Sequence, residues 1–442
     1  MSIRVWLRRK VYQQITSETR LEARRAKAEK QRQRRGEPHR VMYFHRPGDP
    51  ASALMSALTA ALAERYDIAV ELHLVGGPAA DVAPDPERLV TYARQDTAAL
   101  AQHFGLDFTD PGHAADPALE ARALAIMTAA TGTSDALQAA RETDRALWSG
   151  DADAMEGAAA RYGQASAANV KAACREGSAL RDRLGHFQSG ALYYAGEWYW
   201  TADRLHYLET RLRALGAAHA DTDGFLAPPL LESQRAGDCQ GAVLELYPSL
   251  RSPYTYLAME RAFALADRWN ARVDLRFVLP MVMRSLPVPR RKGLYFLLDT
   301  KREATRLGLP FGDICDPVGR PTERGLAVLH HANAQGQGRE FLTSFLRGVW
   351  ADGLDAGSDG GLRRIAERAG IDWATVQTAL GDESWRETAE ANRQRLLDLG
   401  LWGVPSFHTG DLAVWGQDRL WRVEKALQSQ AATPSTRTDP SA

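Results

Sequence analysis

Leu246-Tyr247-Pro248-Ser249-Leu250-Arg251-Ser252-Pro253-Tyr254-Thr255-Tyr256-Leu257 runs from a short apolar segment, through a tight turn, into a helix opened by a Ser-Pro step. Serine is a favoured N-cap, and proline suits the first helical position, where no N–H is needed. The same grammar stands 203 positions earlier in Tyr43-Phe44-His45-Arg46-Pro47-Gly48-Asp49-Pro50-Ala51-Ser52-Ala53-Leu54. After each predicted helix comes a strand-like alternation, Val70-Glu71-Leu72-His73-Leu74-Val75 and Val273-Asp274-Leu275-Arg276-Phe277-Val278. Strand, helix and strand at this spacing make a βαβ unit, and its repetition is the strongest signal in the chain.

The register persists outward from these openings. Tyr92 and Asp96 match Tyr295 and Asp299, and Gly105 to Phe108 matches Gly308 to Phe311. The copies close with Ser189-Gly190-Ala191-Leu192 through Trp200 to Leu205, and with Val404-Pro405-Ser406-Phe407 through Trp415 to Leu420. These closing segments differ by 215 positions, so the second copy carries about twelve extra residues in its helical middle. The reading is α/β in two tandem domains, 38–216 and 238–429, each with an inserted helical subdomain. Residues 217–237 are read as linker, 1–37 as a basic helical arm ending in a polar connector, and 430–442 as a disordered tail.

Composition sets bounds on function. A chain of 442 residues is too long for one ordinary core, and its 45% apolar and 25% charged residues are those of a globular protein. It has no apolar run of ~18 residues and no secretory-type leader, so a cytoplasmic protein is expected. Cys174, Cys239 and Cys315 are far apart, which excludes a CxxC dithiol centre. His330-His331 has neither metal-ligand spacing nor companions, and no metal is expected. Residues 1–40 hold 13 Lys and Arg against 4 Asp and Glu, +9, leaving 42 against 51, −9, in the rest. Ile3, Leu7, Val11 and Ile15 form one helical stripe flanked by Trp6. Docking of this stripe on the acidic body is favoured over membrane contact, and no nucleic-acid partner is expected.

The second copy resembles 2-hydroxychromene-2-carboxylate isomerases and kappa-class glutathione transferases, of the DsbA-like thioredoxin fold. The resemblance rests on Ser252 to Ala258, on Lys292, Tyr295, Asp299 and Arg302, on Gly403 to Phe407, and on Trp415 to Leu420. By extension the first copy is read as a degenerate domain of the same type. The resemblance implies glutathione as cofactor and a small aromatic or electrophilic substrate. It implies that Ser252, at the start of its helix, stabilises a glutathione thiolate, and that Pro253, Tyr254, Val404, Pro405, Gln417 and Asp418 line the cofactor site. Pro405 is expected to be cis, and Lys292 and Tyr295 are expected to meet the substrate. Two family features are replaced: Tyr247-Pro248-Ser249 stands where an Asp is usual, and residues 280–287 contain no Asn. Asp49 replaces Ser252 in the first copy, and Gly190 replaces Pro405. A carboxylate would repel a thiolate, so only the second copy is read as equipped for chemistry.

Three functions follow in order of preference. The first is a glutathione-dependent isomerase or transferase. The second is a non-catalytic thioredoxin-fold scaffold, and the third a thiol-disulfide oxidoreductase relative without CxxC. Either an intramolecular pseudo-dimer or a homodimer is expected.

Overall fold

A computed structural model describes residues 3–79, 81–83, 85–286 and 288–432. The chain divides into two compact units. The N-terminal unit comprises Thr19–Pro229 and Val288–Tyr295; the C-terminal unit comprises Met1–Glu18, Leu230–Pro287 and Phe296–Ala442.

In chain order the elements begin with α1 (Ile3–Ile15), α2 (Glu18–Arg35), β1 (His39–His45), α3 (Pro50–Arg65) and β2 (Ile68–Leu74). A helical group follows: α4 (Pro86–Phe104), α5 (Pro117–Ala130), α6 (Ala136–Ser149), α7 (Ala152–Tyr162) and α8 (Ala167–Arg183). Then come β3 (Ala191–Tyr194), β4 (Glu197–Trp200) and α9 (Leu205–Ala214). The remaining chain gives β5 (Val243–Tyr247), α10 (Pro253–Arg268), β6 (Arg272–Leu275), α11 (Arg290–Arg306), α12 (Arg320–Ala334), α13 (Gly338–Trp350), α14 (Asp359–Arg368), α15 (Trp373–Ala379) and α16 (Trp385–Asp398). It closes with β7 (Ser406–Thr409), β8 (Leu412–Trp415) and α17 (Leu420–Ala432).

Each unit holds one four-stranded sheet, ordered β2-β1-β3-β4 in the N-terminal unit and β6-β5-β7-β8 in the C-terminal unit. The pairing register is common to both. Arg40 faces Ala69 as Val243 faces Arg272, Phe44 faces Ala191 as Tyr247 faces Ser406, and Ala191 faces Trp200 as Ser406 faces Trp415. The correspondence reaches single hydrogen bonds. The Val75 N–H donates to the His45 carbonyl at 2.9 Å, and the Val278 N–H to the Pro248 carbonyl at 3.0 Å. Gly105 and Gly308 end α4 and α11 at φ +66° and +68°, a left-handed conformation open to glycine at little cost.

The reason each sheet has its helix is local. Asp49 and Ser252 cap α3 and α10 from extended conformations, and proline takes the next position in both. Each helix then buries an apolar face, Leu54, Met55, Leu58 and Leu62 in α3 and Leu257, Met259, Phe263 and Leu265 in α10. Burying such side chains contributes about 1.5–3 kcal/mol apiece before the entropy cost of ordering them.

Three expectations need adjustment. The polar stretch after α1 is a second helix, α2, supported by the Arg32–Glu29 pair and by the Arg25 guanidinium on Glu197 at 2.7 Å. The stripe on α1 does not dock as a whole. Ile15 and Tyr12 pack against the core, but Ile3, Leu7 and Val11 are exposed. What holds α1 is its other side, where Arg9 pairs with Asp313 and Thr16 is buried. α17 runs to Ala432, past residue 430 where the disordered tail was expected to begin; residues 433–442, the rest of that expected tail, lie outside the described residues. No helix among the described residues is long and apolar enough to cross a membrane.

Candidate functional site

The turn between β5 and α10 is fixed before its tip is reached. The Arg251 guanidinium makes a two-pronged contact with the Asp316 carboxylate at 2.8 and 3.0 Å. The Ser252 N–H donates to the Ser249 carbonyl at 3.0 Å, and the Ser249 N–H to the Thr255 hydroxyl at 3.4 Å. Ser252 is thereby presented at the N-terminus of α10, half-buried, with its Oγ accepting the Thr255 N–H at 3.1 Å. Its own proton points to the Val404 carbonyl, at 3.4 Å. That is a long hydrogen bond, so the proton is weakly held.

The Val404 side of the contact belongs to the loop before β7. The Val404–Pro405 peptide is cis, as the resemblance implies. The Pro405 carbonyl accepts the Gly416 N–H at 3.0 Å, which ties this loop to the turn after β8. Gly403 permits the loop to close, because a Cβ there would lie 2.1 Å from the Trp415 indole. Trp402 packs on Trp415 with ring centroids 5.0 Å apart. Three stretches separated in sequence, at Ser252, Val404-Pro405 and Gly416-Gln417-Asp418, thus meet through the Ser252 hydroxyl on the Val404 carbonyl and the Gly416 N–H on the Pro405 carbonyl.

The side chains expected around the cofactor divide by what they hold. Gln417 is buried with both ends of its amide engaged. Its Nε2 donates to Glu303 at 2.9 Å, and its Oε1 accepts from Arg261 at 3.1 Å. Arg261 in turn pairs with Glu232 at 2.6 Å. Gln417 therefore braces the turn rather than offering its amide outward. Asp418 lies 3.2 Å from the Arg419 guanidinium and keeps part of its carboxylate exposed. The Tyr254 hydroxyl donates to the buried Asp299 carboxylate at 2.8 Å, with Arg302 4.0 Å from the other carboxylate oxygen.

Lys292 and Tyr295, expected to meet the substrate, have their described contacts within the N-terminal unit. Both belong to the N-terminal unit, whereas Ser252 belongs to the C-terminal unit. The Lys292 ammonium is buried and donates to the Val82 carbonyl at 2.8 Å. Burial pulls it down to about 8, and Asp81 opposes the shift. Tyr295 packs edge-on to His186 at 4.7 Å and near Phe187 and Trp200. The physical reason is apolar: the start of α11 buries its ring and alkyl stem among the aromatics that precede and follow β3.

The corresponding turn of the N-terminal unit is chemically different. The Asp49 carboxylate accepts the Ala51 N–H at 3.3 Å, the Ser52 hydroxyl at 2.9 Å and the Ser189 hydroxyl at 2.7 Å. Opposite it, at φ +65°, Gly190 comes so near that a Cβ would sit 3.1 Å from the Ala51 carbonyl carbon. That helix start is filled by a carboxylate and closed by backbone.

Two buried clusters escaped the sequence reading. Glu245 on β5 receives the Tyr247 hydroxyl at 2.9 Å and His408 at 2.8 Å, with Arg276 at 3.2 Å. Burial pushes its carboxyl up, but these partners together with Arg395 outweigh that and hold it below its usual range. In the N-terminal unit His45 lies 3.3 Å from the buried Asp144 and accepts or donates at 2.8 Å with the Tyr43 hydroxyl. The available signal was a charged residue at an inward register position of a strand.

The chain's own thiols are not poised for attack. Burial raises Cys174 and Cys239, and takes Cys315 up to about 12. Thiolate is the reactive form, so each is a poor nucleophile at neutral pH. Among the described residues no group of three His, Cys, Asp or Glu is placed to hold a metal ion.

Comparison with known proteins adds the following. Residues 243–428 match the DSBA-like thioredoxin domain family, so the C-terminal half carries a DsbA-like thioredoxin domain. A 2-hydroxychromene-2-carboxylate isomerase of Pseudomonas putida is 24% identical over 194 residues, 42% of this chain and 94% of that protein. A solved 2-hydroxychromene-2-carboxylate isomerase aligns at TM-score 0.36 and 21% identity, over 42% of this chain and 95% of that one. The cytosolic disulfide reductase DsbM of Pseudomonas aeruginosa, solved with GSH, aligns at 0.34 and 20%, over 42% and 99%.

Proposed function

Taking a DsbA-like thioredoxin domain in residues 243–428 as the premise, we propose that the C-terminal unit is a glutathione-dependent isomerase or transferase of the 2-hydroxychromene-2-carboxylate isomerase kind. The observation that carries the reading is the Ser252 hydroxyl, set between the N-terminus of α10 and the Val404 carbonyl on a 3.4 Å hydrogen bond. The residues fit the cofactor. Helix N-termini favour negative charge, and a weakly committed hydroxyl proton is available to a sulfur anion. Glutathione, when bound, would supply the sulfur nucleophile that the chain's three cysteines, their thiols raised by desolvation, do not. Ser252 turns its proton from Val404 toward that sulfur. Pro253 and Tyr254 begin the helix whose dipole favours the charge. Val404 and Pro405 offer backbone for strand-like pairing with the tripeptide. Asp418 would hold its ammonium, and Gln417 braces the turn on which Asp418 stands. The substrate is a small aromatic or electrophilic molecule, for which Lys292 and Tyr295 are the residues the resemblance offers.

We read the N-terminal unit as a second copy of the same fold that serves without turnover, which makes the chain a tandem of an active and a scaffold domain. The favouring observation is Asp49, held by Ser52 and Ser189 where Ser252 stands in the other unit. The three free cysteines fit a reducing, cytoplasmic setting. The test is turnover of 2-hydroxychromene-2-carboxylate by the full chain with and without glutathione. Conversion that requires glutathione is expected. No conversion, together with no rise in Tm at saturating glutathione, would remove the catalytic reading and leave the scaffold one.

A further inference from the structure

The α1 helix presents a face that nothing in its own unit covers. At about 100° per residue, Ile3, Leu7 and Val11 step around one side of the helix, with Trp6 and Lys10 adjoining them. Their exposures are high for such residues: 79% for Ile3, 46% for Trp6, 51% for Leu7 and 56% for Val11. The opposite side is the attached one, through Arg9 on Asp313, Tyr12, Ile15 and Thr16. Attachment therefore fixes the helix and aims its apolar arc outward. The borders of that arc are cationic. Arg8 and Lys10 adjoin it, and Ile3–Ile15 contains no acidic residue. Arg8 and Lys10 are exposed, and the Lys10 ammonium lies 6.0 Å from the centre of the Trp6 ring.

We infer that α1 lies on anionic phospholipid surfaces, its Ile3-Leu7-Val11 arc at the acyl boundary and Arg8 and Lys10 on the headgroups. Apolar residues beside a tryptophan and basic flanks are the makeup of an interfacial helix. Charge complementarity selects the occupant. A nucleic acid would take the cations but leave the aliphatic arc in water. A second copy meeting it helix to helix would cover the arc but set Arg8 and Lys10 against their own kind. An anionic bilayer satisfies both. With only four apolar side chains the contact depends on the charges, so it is reversible and sensitive to salt.

The test is sedimentation of the full chain with phosphatidylcholine vesicles containing about 30% phosphatidylserine, and with pure phosphatidylcholine. At least about tenfold stronger partitioning onto the anionic vesicles is expected, falling severalfold in 0.5 M salt, in keeping with screening of surface charge. Leu7→Glu with Val11→Glu, both exposed and thus neutral for folding, is expected to lower binding at least about tenfold at unchanged Tm. Arg8→Glu with Lys10→Glu is expected to erase the preference for anionic lipid. Equal binding to the two vesicle types, or full binding by Leu7→Glu/Val11→Glu, would overturn the inference. So would an RNA homopolymer competing the chain off vesicles without loss in that variant, or a dimer that the variant breaks while vesicles bind nothing.

Discussion

The turns at Asp49 and Ser252 share a backbone and differ in what stands at the tip. Both cap a helix whose next residue is proline, and both face a loop whose carbonyl is held from the far turn: Gly190 by the Thr201 N–H and Pro405 by the Gly416 N–H, each at 3.0 Å. At Asp49 the cap is an anion satisfied by two hydroxyls. At Ser252 it is a neutral hydroxyl that accepts the Thr255 N–H at 3.1 Å and donates its proton on one long bond. The fold needs only a cap, and either residue supplies one. Chemistry on a sulfur anion needs a donor, and only serine supplies that. On the proposed reading, such a fold keeps its stability with either cap while that one side chain decides whether a sulfur anion is held.

The sharpest way to break this comparison is Ser252→Ala. Loss of a hydrogen-bond donor to a developing or resident anion costs about 10²–10³ in kcat, whereas loss of a helix cap costs about 1 kcal/mol of stability. Glutathione-dependent turnover is expected to fall about a hundredfold or more, with a modest drop in Tm. A fall in Tm with turnover intact would mean that Ser252 is a cap and nothing else.

A second contrast concerns the closing loops. Gly403 lies where a Cβ would strike Trp415 at 2.1 Å, while its counterpart in the other copy, 215 positions earlier, is Gln188. Gly403→Ala is expected to destabilise the C-terminal unit by about 1–3 kcal/mol, the usual cost of forcing atoms into packed surroundings. Gln188→Ala is expected to stay within about 0.5 kcal/mol. Urea unfolding of the two variants measures the difference.

Acid separates the units in another way. His186, fully buried in the N-terminal unit, is pulled by burial from 6.5 down to about 3. Below pH 6.5 the unfolded chain binds a proton there and the folded chain does not, so stability is lost as pH falls from 6.5 toward 3. By pH 5 this amounts to about 2 kcal/mol. The N-terminal unit is expected to unfold first in an acid titration followed by circular dichroism, and His186→Phe to move its midpoint to lower pH. The smallest effect belongs to Glu245, whose folded value lies below the usual 4.5. Its contribution is complete above pH 4.5 and is lost as pH falls through the folded value. Glu245→Met, which installs the residue the other copy carries as Met42, is expected to flatten only the most acidic part of the C-terminal unit's curve.

How far the sequence led varies with the kind of interaction. The two turns were legible because Asp49-Pro50 and Ser252-Pro253 are local signals, and Gly105 and Gly308 mark helix ends through backbone alone. The helix α2 was not, because it has no apolar stripe and depends on ion pairs such as Arg25 with the distant Glu197. Lys292 and Tyr295 were assigned to the substrate by the resemblance. Their actual surroundings, Val82, His186 and Phe187, come from remote sequence that no local pattern announces. Gln417 was legible as part of a motif but not as a brace, since Arg261 and Glu303 reach it from two other helices.

The most direct measurement is calorimetric titration of glutathione into the full chain, with Ser252→Asp beside it. The account predicts one site per chain, lost in Ser252→Asp while Tm is kept, because aspartate caps the helix as Asp49 does but repels the thiolate. Two sites per chain, or binding that survives in Ser252→Asp, would contradict it.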